Sequence, residues 1–117
     1  MKTFDFISDP GHGWIKVPHR MLAEFQIADK ITTYSYSRGD YAYLEEDQDA
    51  GIFFNAYRAK HGHDPKIRER NSAHNYSRVR NYAQYDPTKA AILKEHTADL
   101  MAALQQMGKL EIIHVGG

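Results

Sequence analysis

The fold class of this protein is decided by residues 32–62, TTYSYSRGDYAYLEEDQDAGIFFNAYRAKHG. In the first half of this stretch, Thr32–Tyr36 and Asp40–Leu44 are rich in Thr and Tyr, which are common in strands. Arg38 and Gly39 between them have the composition of a tight turn. In the second half the apolar residues follow a helical spacing. The stretch therefore predicts a β-hairpin followed by a helix, which is typical of an α+β fold.

A two-residue loop at Arg38-Gly39 would bring four tyrosines onto one face of this hairpin. In that register Tyr36 lies opposite Tyr41 and Tyr34 lies opposite Tyr43. A wider loop would shift the register and break up the row of rings. We interpret the four tyrosines as packing residues, because tyrosine is a good strand residue. The alternative is that they form a platform for nucleic-acid bases.

The helix that follows is predicted over about 48–61. Asp47 or Asp49 can cap its N-terminus, and Gly62 can end it in the left-handed conformation. The acidic residues just before it also complement the positive end of a helix dipole, which is a sufficient structural reason for their clustering. Its apolar stripe consists of Ile52, Phe53, Ala56 and Tyr57. This helix is expected to pack into the core.

Further elements flank this unit on both sides. Asp86 can cap a helix whose first residue is Pro87, and Gly108 can end it. The predicted elements are a strand over Trp14–Val17, a short helix near 18–26, a helix over 87–107 and a strand over Leu110–Val115. We therefore expect residues 1–117 to form a single α+β domain. Its mainly antiparallel sheet of hairpins would pack against two main helices, 48–61 and 87–107.

A second hairpin is predicted from the alternating residues of Lys66–Arg70 and Tyr76–Tyr82, with turn-forming residues at 71–75. If both segments are extended and turn Ile67 and Val79 inward, one outer face carries five cations framed by two tyrosines. These residues are Lys66, Arg68, Arg70, Arg78 and Arg80, with Tyr76 and Tyr82. The prediction depends on strand geometry, because a helix would scatter the same side chains.

The chemistry of this Arg/Tyr face suits binding. Arginine makes bidentate contacts to phosphate, and a tyrosine ring stacks on an unpaired base for about 1–3 kcal/mol. The face therefore predicts a contact with single-stranded nucleic acid, and it would equally suit an acidic protein partner. The alternative is a solvated sheet face on which arginine stems cover tyrosine rings.

Composition narrows the function classes. The 117-residue chain has 15 Lys and Arg against 15 Asp and Glu, so no overall basic charge points to nucleic acid, although residues 58–80 carry seven cations against two carboxylates. It has no cysteine, which excludes thiolate metal sites and disulfides. The first ten residues do not have the pattern expected of a secretory signal, and no apolar run approaches the roughly 20 residues needed to span a bilayer. The expected location is the cytoplasm, without membrane contact.

Histidines and the glycine-rich loop after residue 8 offer an alternative, a small metal- or acid/base-dependent enzyme. Its residues would be Asp9, His12, His61 and His63, because carboxylate and imidazole groups serve both roles. No motif supplies a complete ligand set or a nucleophile. We favour the structural interpretation, in which Trp14 anchors an ordinary turn and His61 lies at a helix C-terminus. No cofactor is predicted.

Several segments together resemble a family of small bacteriophage and mobile-element proteins. The resemblance spans residues 8–85 and is carried by DPGHGWIKVP at 9–18, YSY at 34–36, AYLEED at 42–47 and SRVRNY at 77–82. It implies an accessory role in a bacterial host, where such proteins often modulate a host enzyme or a defence system. The expected partner is therefore a host or phage protein, such as a defence enzyme, or nucleic acid bound through the Arg/Tyr face. No catalytic residue is carried over from the family.

Overall fold

The sheet at the centre of the protein has six strands. The computed structural model describes residues 2–71, 77–92, 96 and 99–105. Its strands are β1 Thr3–Ser8, β2 Gly13–Pro18, β3 Tyr36–Arg38, β4 Tyr41–Glu45, β5 Lys66–Asn71 and β6 Ala83–Gln84. They lie in the order β5-β1-β2-β4-β3-β6, and every neighbouring pair is antiparallel except β1 with β5. The predicted α+β fold with a mainly antiparallel sheet is confirmed.

The two helices predicted before residue 80 are present, and the described residues also form two short 3-10 helices that were not predicted. These are α1 His19–Glu24 and α2 Asp49–His61, with short 3-10 helices over Ala28–Lys30 and Arg78–Asn81. Residues 87–92, 96 and 99–105 are also helical, and the Asp86 carboxylate accepts a hydrogen bond from the Lys89 N–H at 3.0 Å, as expected of a cap. The predicted end of this helix and the predicted strand at Leu110–Val115 lie outside the described residues.

The core lies between one face of the sheet and the two helices α1 and α2. Strand periodicity sends alternate residues of β1, β2 and β4 to this face. Its buried side chains include Phe4, Ile15, Leu22, Leu44, Phe53 and Tyr57. The Phe4 ring packs edge-on against Phe53 at 5.1 Å between ring centroids, so it joins β1 to α2. Strand β1 was not predicted, although Phe4 and Phe6 alternate with more polar residues.

The helix that begins at Pro87 packs on this core near its first turn, through Ala90. Farther along, the described apolar side chains are exposed by half or more. They are Ile92, Leu100, Met101 and Leu104. In the described part of the chain, no helix is long and apolar enough to cross a membrane.

The register of the first hairpin differs from the prediction. The loop is formed by Gly39 and Asp40, so Tyr36 pairs with Tyr43 and Arg38 pairs with Tyr41. The reason is backbone geometry: the first loop residue needs a positive φ, and Gly39 has a φ of 57° at no steric cost. The first strand therefore begins only at Tyr36. Tyr34 lies in the preceding turn and is 70% exposed, so the predicted row of four rings does not form.

The N-terminus of α2 is also built differently from the prediction. Neither predicted aspartate caps it, because the N-cap is Gln48, whose side chain makes no capping hydrogen bond. The buried Asp49 carboxylate turns instead to the segment before β3, and it accepts hydrogen bonds from the Thr32 N–H, the Thr32 hydroxyl and the Ser35 hydroxyl. The Glu45 carboxylate accepts the backbone N–H groups of residues 47 and 48 at 2.9 and 3.1 Å.

The C-terminus of α2 confirms the prediction at Gly62. This residue has a φ of 79°, and its N–H donates to the Arg58 carbonyl at 2.8 Å. A Cβ added at Gly62 would meet no atom within 4 Å, so a substitution changes only the backbone energy.

Gly62→Ala is therefore expected to lower the free energy of unfolding by about 1 kcal/mol, the cost of a left-handed residue with a Cβ. Gly51→Ala is the matched control, because it lies inside α2 and its added Cβ also meets nothing within 4 Å. There alanine should raise stability by about 0.5–1 kcal/mol. Urea denaturation of both variants measures the difference, and changes of the same sign would contradict the prediction.

The predicted second hairpin is wrong. Strand β5 is formed as expected, but it pairs in parallel with β1 through Thr3↔Lys66 to Ser8↔Asn71. Arg78–Asn81 is a 3-10 helix, and the Ser77 hydroxyl accepts a hydrogen bond from the Val79 N–H at its start. A serine in this position competes with strand hydrogen bonding by offering the backbone a local partner. The predicted turn at 72–75, with Tyr76, lies outside the described residues.

Candidate functional site

The face of the sheet opposite the core is partly covered by the Arg78–Asn81 3-10 helix. Asp9, in the turn between β1 and β2, holds this helix in place. Its side chain is 0% exposed. The carboxylate accepts five hydrogen bonds at 2.6–3.0 Å, from the N–H groups of Gly11, His12 and Ser77 and from Nε and Nη2 of Arg80. The turn and the 3-10 helix therefore form one polar joint.

The Arg80 side chain forms part of this joint. Its guanidinium holds the pKa of Asp9 well below its usual range, and the three backbone N–H groups act in the same direction against the effect of burial. The Arg80 Cζ also lies 5.4 Å from the centre of the Trp14 ring. The predictions for this pair are thus corrected: the Arg80 cation is paired internally, and the Asp9 carboxylate is a structural partner of Arg80 and of the Ser77 backbone.

An aromatic cluster lies beneath the 3-10 helix. Trp14, Tyr43 and Val79 form its buried part, and Tyr36 and Tyr82 pack against it. Tyr43 and Tyr82 are in contact, with ring centroids 4.9 Å apart, and burial is the main reason why the pKa of Tyr43 is raised. Trp14 was predicted to anchor the turn, and Tyr43 to be a packing residue or part of a platform for bases. Both are packing residues, which agrees with the structural interpretation of the tyrosines.

Cations and tyrosine rings alternate on the exposed remainder of this face. We call Lys16, Arg38, Tyr41, Arg78, Asn81 and Tyr82 the cation–tyrosine patch. Lys16 Nζ lies 4.2 Å from the centre of the Tyr41 ring, and Arg38 Cζ lies 4.9 Å from the centre of the Tyr82 ring. The pairing of Arg38 with Tyr41 across β3 and β4 joins the two contacts. The patch is therefore continuous over three strands and the 3-10 helix.

One end of the patch is hollow. Arg38, Arg78, Asn81 and Tyr82 line an open depression of about 600 Å³, together with Ser37 and Ala83. Two guanidinium groups, one amide and one ring thus face a common space. An amide both donates and accepts hydrogen bonds, so this set can contact a phosphate and the edge of a base at the same time.

The patch cations are not neutralised within the described part of the chain. The ion pairs found there are Arg58–Asp64, Lys60–Glu24, Arg68–Asp5, Arg70–Asp5 and Arg80–Asp9. None of them involves Lys16, Arg38 or Arg78. Their positive charge is held beside aromatic rings, which attract cations weakly and leave the charge available to an anionic ligand.

The remaining predicted cations lie at the other edge of the sheet. Lys66, Arg68 and Arg70 do share one face of β5, as expected. However, Asp5 of β1 forms ion pairs with both arginines, at 2.9 and 3.3 Å. Strands β1 and β2 separate them from the 3-10 helix. The predicted face of five cations is therefore divided, and of its members Arg78 and Tyr82 lie in the patch.

Three patch residues were not predicted as site residues: Lys16, Arg38 and Asn81. The alternation of Ile15, Lys16 and Val17 already places Lys16 on the face opposite the core, so that residue could have been found. Arg38 was assigned to the hairpin loop, and Asn81 was assigned to a strand. Both residues were missed as site residues because these two predictions of local geometry were wrong.

The residues of the enzyme alternative do not come together. His61 and His63 lie at the C-terminal end of α2, with ring centroids 6.2 Å apart, and His61 packs on Tyr57 at 4.4 Å. His12 lies at the other end of this 13-residue helix, about 18 Å away at 1.5 Å per residue. Asp9 is already paired. The predicted set of four residues is therefore wrong as a single site.

His12 has other neighbours that are potential metal ligands. One donor atom each from His12, Glu45 and Asp47 lie within 4.8 Å of one another. All three residues are at the surface or only partly buried, and both oxygens of Glu45 already accept backbone hydrogen bonds. The group also lies at the positive end of α2, which disfavours a cation. It is best explained by the structure of the helix start.

Comparison of the chain with protein-family models, with curated proteins and with solved structures gave no match. The functional conclusion therefore depends on the geometry of the patch and on the chemistry of its side chains.

Proposed function

We propose that this protein binds single-stranded nucleic acid on the cation–tyrosine patch, as a phage-type accessory protein in the cytoplasm of a bacterial host. One observation carries the proposal. Lys16, Arg38 and Arg78 form no ion pair in the described part of the chain, and two of them lie against the rings of Tyr41 and Tyr82. The phage-type role rests on the resemblance of residues 8–85 to small phage proteins.

The side chains match the two components of a single strand. Its phosphates are contacted by arginine forks and lysine, and its unpaired bases expose flat faces that stack on tyrosine. Tyr41 is 39% exposed, so part of its ring is accessible from solvent. In a duplex the base faces are already stacked on one another, so they are not free to stack on the tyrosine rings. This difference favours single-stranded over double-stranded nucleic acid.

The hollow beside Arg78 supports the same choice. A volume of about 600 Å³ accommodates one base, with the Asn81 amide available to its edge and the Tyr82 ring to its face. An acidic protein segment would use the cations but would leave the rings and the amide without a matching group. Binding to a host or phage protein is therefore the competing outcome of the test below.

The patch is tested by reversing two of its charges. Arg38→Glu combined with Arg78→Glu is expected to weaken binding of a labelled single-stranded DNA 20-mer at least tenfold in fluorescence anisotropy. Three cations predict a slope of roughly −2 for log K against log salt, since each neutralised phosphate contributes about 0.7. The double variant should reduce this slope towards zero. Arg20→Glu on α1, across the sheet, is the matched control and should bind like the wild type.

Tyr41→Leu separates stacking from charge. It should weaken binding by about 1–3 kcal/mol per lost stack, with the salt slope unchanged. If the double arginine variant binds as tightly as the wild type, the patch is not the binding surface. If the wild type prefers an acidic peptide to a single strand of equal charge, the patch binds protein, and the nucleic-acid proposal is wrong.

A further inference from the structure

A second concave surface lies on the side of the sheet that carries the helices. It is a groove of about 940 Å³ between α1, the β3–β6 edge of the sheet and the helix that begins at Pro87. Small side chains form part of its wall, at Ala23, Ala28, Ala83 and Ala90. Its polar groups include His19, Arg20, Ser37 and Lys89. None of the functions considered so far uses this groove.

Two of these groups are in direct contact. His19 Nε2 lies 2.8 Å from Ser37 Oγ, and both side chains are half-buried and face the groove. This is the hydrogen bond by which a histidine activates a serine as a nucleophile. When Nε2 carries no proton, the serine hydroxyl donates and the imidazole accepts, so the proton is already aligned for transfer.

The imidazole is held in this orientation. Its ring stacks on Tyr85, with centroids 6.0 Å apart and planes 22° apart, and the Tyr85 hydroxyl donates a hydrogen bond to the Ala28 carbonyl. The His19 N–H donates to the Asp40 carbonyl at 2.9 Å, which places the backbone of α1 against the hairpin loop. The ring is therefore fixed by packing and the backbone by a hydrogen bond, as a positioned base requires.

The surroundings also suit a base. Burial is the main cause that lowers the pKa of His19, and Lys89 acts in the same direction, so both favour the neutral ring. Asp40 and the Tyr41 carbonyl oppose this change, which means that they stabilise the imidazolium once it forms. Arg20, Asp29, Asp86 and Tyr85 are the other titratable groups that line the groove.

We propose that Ser37 and His19 form a nucleophile–base dyad that hydrolyses carboxylic esters bound in this groove. Ser37 Oγ attacks the ester carbonyl carbon while its proton passes to His19 Nε2, and the carbonyl electron pair moves to the oxygen. The electron pair on the oxyanion then re-forms the carbonyl, the bond to the alcohol oxygen breaks, and the alcohol oxygen takes the proton from Nε2. A water molecule then repeats both steps on the acyl-serine and releases the acid. Ester and water thus become acid and alcohol.

The cations Arg20 and Lys89 line the same groove, and they are the groups available to stabilise the oxyanion or an acidic substituent of the substrate. The proposal does not depend on nucleic-acid binding, because the groove lies on the side of the sheet opposite the patch. Ser37 also borders the hollow, but it is not among the side chains proposed to contact nucleic acid.

A fluorophosphonate probe on the full chain tests the dyad. Intact-mass spectrometry should show one adduct, located at Ser37 by peptide mapping. Ser37→Ala should remove it, and His19→Gln should slow labelling at least 100-fold, as expected for loss of a general base. Ser8→Ala, which removes a strand serine that bonds to Asn71, should label like the wild type. The rate should fall only below about pH 6.5, since the pKa of His19 is lowered.

Ser37→Cys gives a second readout that does not need the probe. The chain has no cysteine, so the new thiol is unique. Beside a histidine it should react with iodoacetamide at least tenfold faster than the thiol of Ser8→Cys, because the imidazole favours the thiolate. Circular dichroism checks that each variant folds. No adduct on the wild type, labelling of folded His19→Gln at the wild-type rate, or equal alkylation of the two thiols would each overturn the proposal.

Discussion

Asp9→Asn is expected to lower the free energy of unfolding by about 3–5 kcal/mol at pH 7, the usual effect of breaking a buried ion pair by removing one partner. The asparagine amide would present hydrogen atoms to donors, and the Arg80 guanidinium would lose the carboxylate that accepts from its Nε at 2.6 Å. Urea denaturation at pH 7 measures the change. Asp64→Asn is the matched control, because it removes an arginine-paired carboxylate that is 56% exposed. It should change stability by about 1 kcal/mol or less.

The effect of Asp9 should depend on pH in one direction. Its pKa is lower in the folded protein than in the unfolded chain, where the usual value is about 3.9. Such a group stabilises the fold above the unfolded pKa, and this contribution decreases as the pH falls towards the folded pKa. The stability difference between wild type and Asp9→Asn should therefore be constant from pH 7 to about pH 5 and should decrease below about pH 4. A difference that grew on acidification would contradict the assignment.

The same substitution should also affect the proposed binding surface. The Asp9 carboxylate holds Ser77 and Arg80, and the 3-10 helix between them carries Arg78. Loss of this joint should release Arg78 from the hollow. We expect Asp9→Asn to weaken binding of single-stranded nucleic acid under conditions in which the sheet is still folded.

Asp49→Ala is expected to destabilise the protein by about 3 kcal/mol. The variant removes a fully buried carboxylate and leaves the Thr32 N–H and two hydroxyl groups without their acceptor, and hydrogen bonds to a charged group contribute about 1.5–3 kcal/mol each. Asp47→Ala, two residues earlier and exposed, should change stability by about 0.5 kcal/mol or less. Thermal unfolding of the two variants side by side separates the specific effect from the loss of one negative charge.

A double-mutant cycle makes the test of Asp49 stricter. Ser35 links two elements, since its hydroxyl donates to Asp49 and accepts from the Glu45 N–H at 3.0 Å. Ser35→Ala and Asp49→Ala should therefore be strongly non-additive, with a coupling energy of about 1–2 kcal/mol. Additive effects would show that the short contact between the two side chains contributes little to stability.

These two aspartates explain how a cysteine-free chain holds its irregular segments. Each carboxylate lies at the edge of a regular element and binds the backbone of a segment without regular structure, at Ser77 in one case and at Thr32 in the other. Both segments carry residues of the proposed sites or lead directly into them. The cost of burying each carboxylate is opposed by the hydrogen bonds that it accepts, five on the two oxygens of Asp9 and three on Oδ2 of Asp49.

Local features of the sequence were sufficient to predict the α-helices and the positions of strands β2, β4 and β5. Helix α2 and its end at Gly62 follow from apolar periodicity and from the conformational freedom of glycine, and strand β2 follows from the alternation of Ile15, Lys16 and Val17. Each of these depends on interactions between residues a few positions apart. The α+β class of the fold was therefore determined by the sequence alone.

The binding surface was decided by contacts between residues far apart in the chain. Residues 78–81 alternate as a strand would, yet they form a 3-10 helix that is held by Asp9, 71 positions before Arg80. Strand β5 likewise pairs with β1, 63 positions away, and not with its neighbour in sequence. A periodic pattern specifies which side of a segment is apolar, but not which partner satisfies its backbone and charges. Only the tertiary structure supplies that partner. The hydrogen bonds to a buried charge stabilise the fold by more free energy than the strand preference of a short segment does.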